Sequence, residues 1–151
     1  MRALLQRVTE AGVFLVGEGG TEEALAAIGP GLAVLVCAEP GDTEETARYF
    51  ARKIANMRVF EDADGKTNLS VLDVGGQALV ISQFTLAADW KKGNRPGFSK
   101  AADPQTAERL YLAFAGFLRD EDVPVETGRF RSHMRLRLAN DGPFTIWMDS
   151  D

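Results

Sequence analysis

Residues 77–89 read QALVISQFTLAAD, and this stretch carries most of the reading of the chain. Ala78 to Ile81 form a short apolar run typical of a buried strand. Ser82, Gln83 and Thr85 then place two hydroxyls and an amide where a core has begun. With strand alternation carried through Leu86, Val80, Ser82, Phe84 and Leu86 share one face, and Leu79, Ile81, Gln83 and Thr85 share the other. Both faces are mixed. Buried polar groups need partners, so the stretch is expected to line a polar pocket or to face another polar surface.

Outward from this strand, the pattern is strands with two helices. LLQRVTEAGVFLV (4–16) suggests two short strands broken near Glu10–Gly12, and GEGG (17–20) a turn. ALAAI and LAVLVC flank a Gly29–Pro30–Gly31 turn. Cys37 is expected to pack as an inert buried thiol. GDTEETARYFARKIANM begins a helix with Asp42 as N-cap, Glu45 three residues on, and Ala47, Phe50, Ile54 and Met57 along one face. Arg58–Phe60 can open a strand before the polar turn EDADGKTN. In the second helix Asp103 caps, Pro104 takes the first helical position, and Ala107, Leu110, Tyr111, Phe114 and Phe117 form the stripe. MRLRLANDGPFTIWM (134–148) alternates, breaks at NDGP and resumes. The fold class is α+β, in a single domain spanning 1–151.

Composition narrows the class further. The 151 residues suit one domain, and 45% hydrophobic with 26% charged residues is ordinary for a water-facing fold. A lone cysteine fits a reducing cytosol, so a cytoplasmic location is expected. No signal peptide and no membrane span are expected. The net charge of −5 argues against charge-driven binding to nucleic acid in general, and no DNA or membrane partner is expected. Two local basic stretches remain: Lys91, Lys92, Arg95 and Lys100, and Arg129, Arg131, Arg135 and Arg137. Solvated surface is the simpler reading of each alone.

The usual catalytic machinery is sparse. His133 is the one histidine. A Ser–His–Asp triad would need it beside a serine such as Ser82. No cluster of metal-ligand type stands out, and no phosphate-binding glycine motif is present. Catalysis by such a chain would rest on positioning and on fixed main-chain dipoles. The Gly142–Pro143 pair is ordinarily a turn between strands. A glycine, however, allows close approach of backbone, and an X–Pro bond can be cis, so the pair can also act as a rigid probe.

SQFTL and NDGPFT together resemble the D-aminoacyl-tRNA deacylases, which carry an SQFT motif and a Gly–Pro motif in an NxGPxT context. LLQRVTEAGV, FEDADGKTNLSV, LAADWKKGNRPGFSKAADP and TGRF are similar to further family segments, in order, over nearly the whole chain. The sequence departs from the pattern at Phe144, at Arg131–Met134 and across 12–31. The resemblance implies a barrel-like core of mixed sheets with two main helices, and a homodimer with its sites at the interface. It implies hydrolysis of the ester between a D-amino acid and the 3′-terminal adenosine of tRNA, with no metal or other cofactor. Gly142 and Pro143, joined by a cis bond, would enter the partner's pocket and exclude L-side chains, with Arg7 bracing the loop. Glycine is achiral, so glycyl-tRNA, including glycine mischarged on tRNA-Ala, becomes a further candidate substrate. Ser82, Gln83, Phe84 and Thr85 would line the catalytic site. Amides near Phe84 and Thr85, with the ribose 2′-hydroxyl, suit this sequence better than Thr85 as nucleophile, since no base sits beside it. Phe130 and Met134 would contact adenine, and Lys91, Lys92 and Arg95 the phosphates. The other reading kept is a dimeric, non-catalytic binder of an aminoacyl-nucleotide.

Overall fold

The computed structural model describes residues 1–150. Its strands are β1 (Arg2–Val16), β2 (Glu22–Ile28), β3 (Gly31–Cys37), β4 (Phe60–Glu61), β5 (Thr67–Leu69), β6 (Gln77–Ser82), β7 (Val125–Thr127) and β8 (Met134–Asp149). The helices are α1 (Glu44–Ala55) and α2 (Pro104–Asp120). The main sheet runs β2-β1-β3-β6-β7, with β8 also pairing with β1, while β4 and β5 pair separately. The architecture is α+β, with a curled, barrel-like sheet and two helices.

β1 organises the sheet. It does not break at Glu10–Gly12, contrary to the sequence expectation. Ala11–Val16 pair with β2 and Glu10–Leu15 pair with β8, so both edges of the strand stay hydrogen-bonded through that point. Register shifts on either side of Val8 absorb the irregularity, as a bulge does. Nor does β8 stop at 140–143. The chain bulges there, with Val8 opposite Asn140 and Gln6 opposite Thr145, and pairing resumes beyond.

β3 and β6 pair in parallel. Their runs LAVLVC and ALVI are apolar on both faces because both faces are covered. Gly31 is required where they meet, since a Cβ there would lie 1.9 Å from the Gln77 carbonyl oxygen. On one face the helices pack Phe50, Ile54, Leu110, Phe114 and Leu118 against Leu5, Leu32, Val34 and Val80. On the other, Val8, Val13, Ile28, Ala33, Leu79 and Ile81 form a second cluster. Burying a Leu or Phe side chain in such a core contributes on the order of 2 kcal/mol.

The α1 cap differs from the expectation. Thr43, not Asp42, is the N-cap, in a reciprocal pair with Thr46. Asp42 instead accepts from the buried Met1 ammonium at 2.7 Å and from the Glu39 amide at 2.7 Å. A buried ammonium needs a counter-ion more than a helix needs one particular cap. Met57 lies beyond the end of α1. In α2, Asp103 accepts from Thr106 N–H at 3.0 Å and Pro104 opens the helix, as expected.

Candidate active site

The strand of the SQFTL segment ends at Ser82, and Phe84–Ala87 form a 3₁₀ turn. Alternation therefore does not reach Phe84 or Thr85, and the faces assigned to them from strand geometry are wrong. The chain leaves the sheet after Gln83, whose amide still donates to Val36 O at 2.8 Å. The turn keeps the Phe84 and Thr85 amides free of hydrogen bonds among the described residues. In a 3₁₀ turn no carbonyl of the turn itself can reach the first amides. Two main-chain donors are thus left unoccupied beside the strand end.

A cavity of about 670 Å³ opens there. It is lined by Ser82, Gln83 and Phe84, and also by Phe130 and Met134. Five expected site residues therefore meet although they come from segments far apart in sequence. Phe84, 54% exposed, meets Phe98 edge-on with centroids 5.2 Å apart. Phe130 is stacked against Tyr111 at 6.2 Å. Tyr111 OH donates to Val80 O at 3.2 Å, which ties α2 to the strand that leads into the cavity. Burial pushes the Tyr111 hydroxyl above its ordinary pKa.

Thr85 is exposed and does not line the cavity; its hydroxyl accepts from Gln83 Nε2. No histidine or carboxylate is hydrogen-bonded to that hydroxyl among the described residues, so nothing activates it as a nucleophile. Ser82 and His133 both line the cavity, but no hydrogen bond joins them and no carboxylate is part of the lining. A triad lacks its third member here. Cys37 also reaches the cavity. Burial, with the nearby Glu39 carboxylate, pushes its thiol up to about 11, so it stays protonated at neutral pH. Among the described residues no group of three or more His, Cys, Asp or Glu side chains is placed to hold a metal ion.

Arg7, Gly142 and Pro143 lie elsewhere. Arg7 is in register with Leu32 and, through it, with Ala78, four positions before Ser82 on β6; that is about 13 Å along a strand. The bulged loop 141–143 is exposed, and no atom lies within 4 Å of where a side chain on Gly142 would begin. The Gly142–Pro143 bond is cis. Arg7, only 6% exposed, donates to Asp141 O at 3.2 Å, to Gly142 O at 3.4 Å and to Val59 O at 2.7 Å. Its guanidinium packs 4.5 Å over the Phe144 ring, which gives Phe144 a structural part in holding the loop. Asn140 Nδ2 ties Arg7 O and Phe144 O together at 2.9 and 3.1 Å. The chain thus carries a braced, outward-facing loop and a separate, open cavity.

Residues 4–149 match the family described as D-Tyr-tRNA(Tyr) deacylase. The chain belongs to that family. A D-aminoacyl-tRNA deacylase of Dinoroseobacter shibae is 58% identical over 149 residues, covering 99% of both chains. One of Ruegeria pomeroyi is 57% identical, with the same coverage. Among solved structures, one of a c-Myc DNA Unwinding Element Binding Protein is 39% identical, with a TM-score of 0.89 and 100% and 99% coverage of the two chains. A probable eukaryotic D-amino acid tRNA deacylase shares the fold at 19% identity, with a TM-score of 0.77 and 97% coverage of each chain. The expectation of a deacylase, an ester hydrolase, is met at the level of family.

Sequence reasoning misses part of the cavity. Arg131, Ser132 and His133 form one wall, and Phe98 with Ala101 and Ala102 another. The signal available is the run of polar and cationic residues directly after Phe130. The second basic stretch also divides. Arg135 and Arg137 both hold Glu22, the latter at 2.7 Å, and their hydrogen bonds, Arg135's foremost, hold that carboxyl below its usual range. Arg129 and Arg131 form no ion pair among the described residues. In the first stretch Lys100 lies 3.6 Å from Asp89, while Lys91, Lys92 and Arg95 are exposed and form no ion pair among the described residues.

Proposed function

We propose that this protein hydrolyses the ester linking a D-amino acid to the 3′-terminal adenosine of tRNA, releasing the amino acid and tRNA, and that it does so as a homodimer. The observation that carries this reading is the separation within one protomer: the cavity at Ser82–Phe84 lacks the Gly142–Pro143 loop, and the loop stands braced with open space before it. A second copy resolves both facts if each loop enters the other copy's cavity.

In this arrangement the terminal adenine packs on Phe130 and Met134, and the ester carbonyl sits against the Phe84 and Thr85 amides. As water adds to the carbonyl carbon, those amides stabilise the oxyanion. The C–O bond to the ribose 3′ oxygen then breaks, and that oxygen takes up a proton. The neighbouring 2′-hydroxyl of the substrate assists, so no titratable side chain is required. The main chain of Gly142 and Pro143 lies close to the substrate's α-carbon. It rejects L-side chains by clash rather than by weaker affinity, whereas glycine passes. Lys91, Lys92 and Arg95 meet phosphates of the acceptor end, and the protein works alongside tRNA in the cytoplasm.

Incubation with D-tyrosyl-tRNA and L-tyrosyl-tRNA tests the reading. Preferential loss of the D-ester supports it. Binding without preferential loss favours the non-catalytic aminoacyl-nucleotide binder instead.

A further inference from the structure

One wall of the cavity carries chemistry that neither the oxyanion donors nor the adenine contacts use. Arg131 is the sole charged side chain in the lining, which also includes His133 and holds no acidic group. Arg131 makes no hydrogen bond or ion pair through its side chain among the described residues. Its backbone sits in the left-handed region at φ 56°, a conformation that disfavours any residue with a Cβ. Such a residue persists where the surrounding structure holds it and is often part of a site.

The wall is fixed on both sides of Arg131. Gly128 N–H donates to Val80 O at 3.3 Å, the Phe130 ring stacks on Tyr111, and Val16 N–H holds the His133 carbonyl at 2.9 Å. A guanidinium is therefore presented from a preorganised segment, directly after the aromatic residue assigned to adenine. A nucleotide whose base lies on Phe130 and Met134, and whose ester lies beside Ser82–Phe84, has one anionic group left to accommodate: the phosphate on the 5′ side of its ribose. Guanidinium pairs with phosphate through two parallel N–H donors.

We propose that Arg131 binds the phosphodiester on the 5′ side of the substrate's terminal nucleotide, with His133 as a secondary contact. This rests on the aminoacyl-tRNA reading of the cavity. Arg131 then reads the nucleotide rather than the amino acid and sets where the terminal adenosine stops.

The test compares the 3′-D-tyrosyl esters of adenosine and of adenosine 5′-monophosphate. The useful variant is Arg131→Gly, because glycine adopts the left-handed backbone freely and removes only the side chain. The ratio of kcat/KM for the phosphorylated ester to that for the unphosphorylated one is expected to fall about tenfold, the size of one charge-assisted hydrogen bond. Arg131→Lys is expected to restore part of it. A ratio equal to that of the wild type overturns the inference. If the wild type cleaves neither ester, D-tyrosyl-tRNA decides the deacylase reading, which fails only if that substrate is also left intact, and calorimetry decides the inference separately. Tighter binding of adenosine 5′-monophosphate than of adenosine, abolished in Arg131→Gly, supports it; equal binding in the wild type overturns it.

Discussion

Arg7 Nε lies 3.2 Å from the main-chain oxygen of Asp141 and 3.1 Å from its carboxylate. One buried guanidinium from β1 thus grips the bulge of β8 just before the cis Gly142–Pro143 bond. The loop can keep one shape although it faces open space.

Arg7→Ala removes this brace and leaves the carbonyls of Val59, Asp141 and Gly142 without their donor. A loss of about 3 kcal/mol in unfolding free energy is expected from a broken buried charged network, read by urea denaturation. If the loop filters handedness, the variant also loses discrimination, with the ratio of D- to L-tyrosyl-tRNA hydrolysis falling. Loss of stability with an unchanged ratio would separate the brace from the filter.

Thr85→Ala is expected to retain hydrolysis within about tenfold of the wild type, because the hydroxyl it removes accepts from Gln83 and has no base. Single-turnover rates on D-tyrosyl-tRNA check this. A loss above about a thousandfold with the fold intact would mark Thr85 as the nucleophile.

Mixing two variants tests the shared site. A Gly142/Pro143 loop variant, expected to lose its preference for D- over L-tyrosyl-tRNA, and an inactive Ser82–Thr85 variant are expected to regain part of that preference when combined, because one of the two sites in the mixed dimer is intact. Absence of recovery, with mixed dimers demonstrated by native mass spectrometry, counts against a site built from two protomers.

Replacing Lys91, Lys92 and Arg95 with glutamine is expected to raise KM for tRNA and flatten its salt dependence. The slope of log K against log salt falls by about 0.7 to 0.9 for each phosphate that the protein no longer neutralises. An unchanged slope would show that these cations are solvated surface only.

Cys37 offers a pH test. Its folded-state pKa is raised from 9.0 to about 11, so the native state holds the proton more tightly than the unfolded chain does. The stability tied to it is fully present below about pH 9 and is lost as pH rises from there through about 11. Urea midpoints of the wild type should therefore fall relative to Cys37→Ala over that interval, and the two should run parallel at neutral pH.

The segments of the candidate site stand out in the amino-acid order alone. SQFT and NDGP stand out because their residue types contradict the strands that hold them. Residues such as Phe98 do not, because nothing local distinguishes a side chain that lines a cavity from one that faces water. Phe84 and Thr85 escape the strand pattern for a related reason. Strand alternation is a property of a ladder, and the ladder stops at Ser82.

What the sequence determined by itself was local. The Asp103–Pro104 helix start, the apolar runs of β3 and β6, and the turn at Gly29–Pro30 follow from capping, periodicity and backbone restriction within a few residues. The tertiary structure decided what depends on partners far along the chain. β1 stays continuous because β2 and β8 fill both its edges, Asp42 is diverted from capping by the Met1 ammonium, and Arg7 finds Asp141 and Gly142 at the other end of the chain. Those outcomes turn on hydrogen-bond partners and counter-ions that only the folded chain brings within reach.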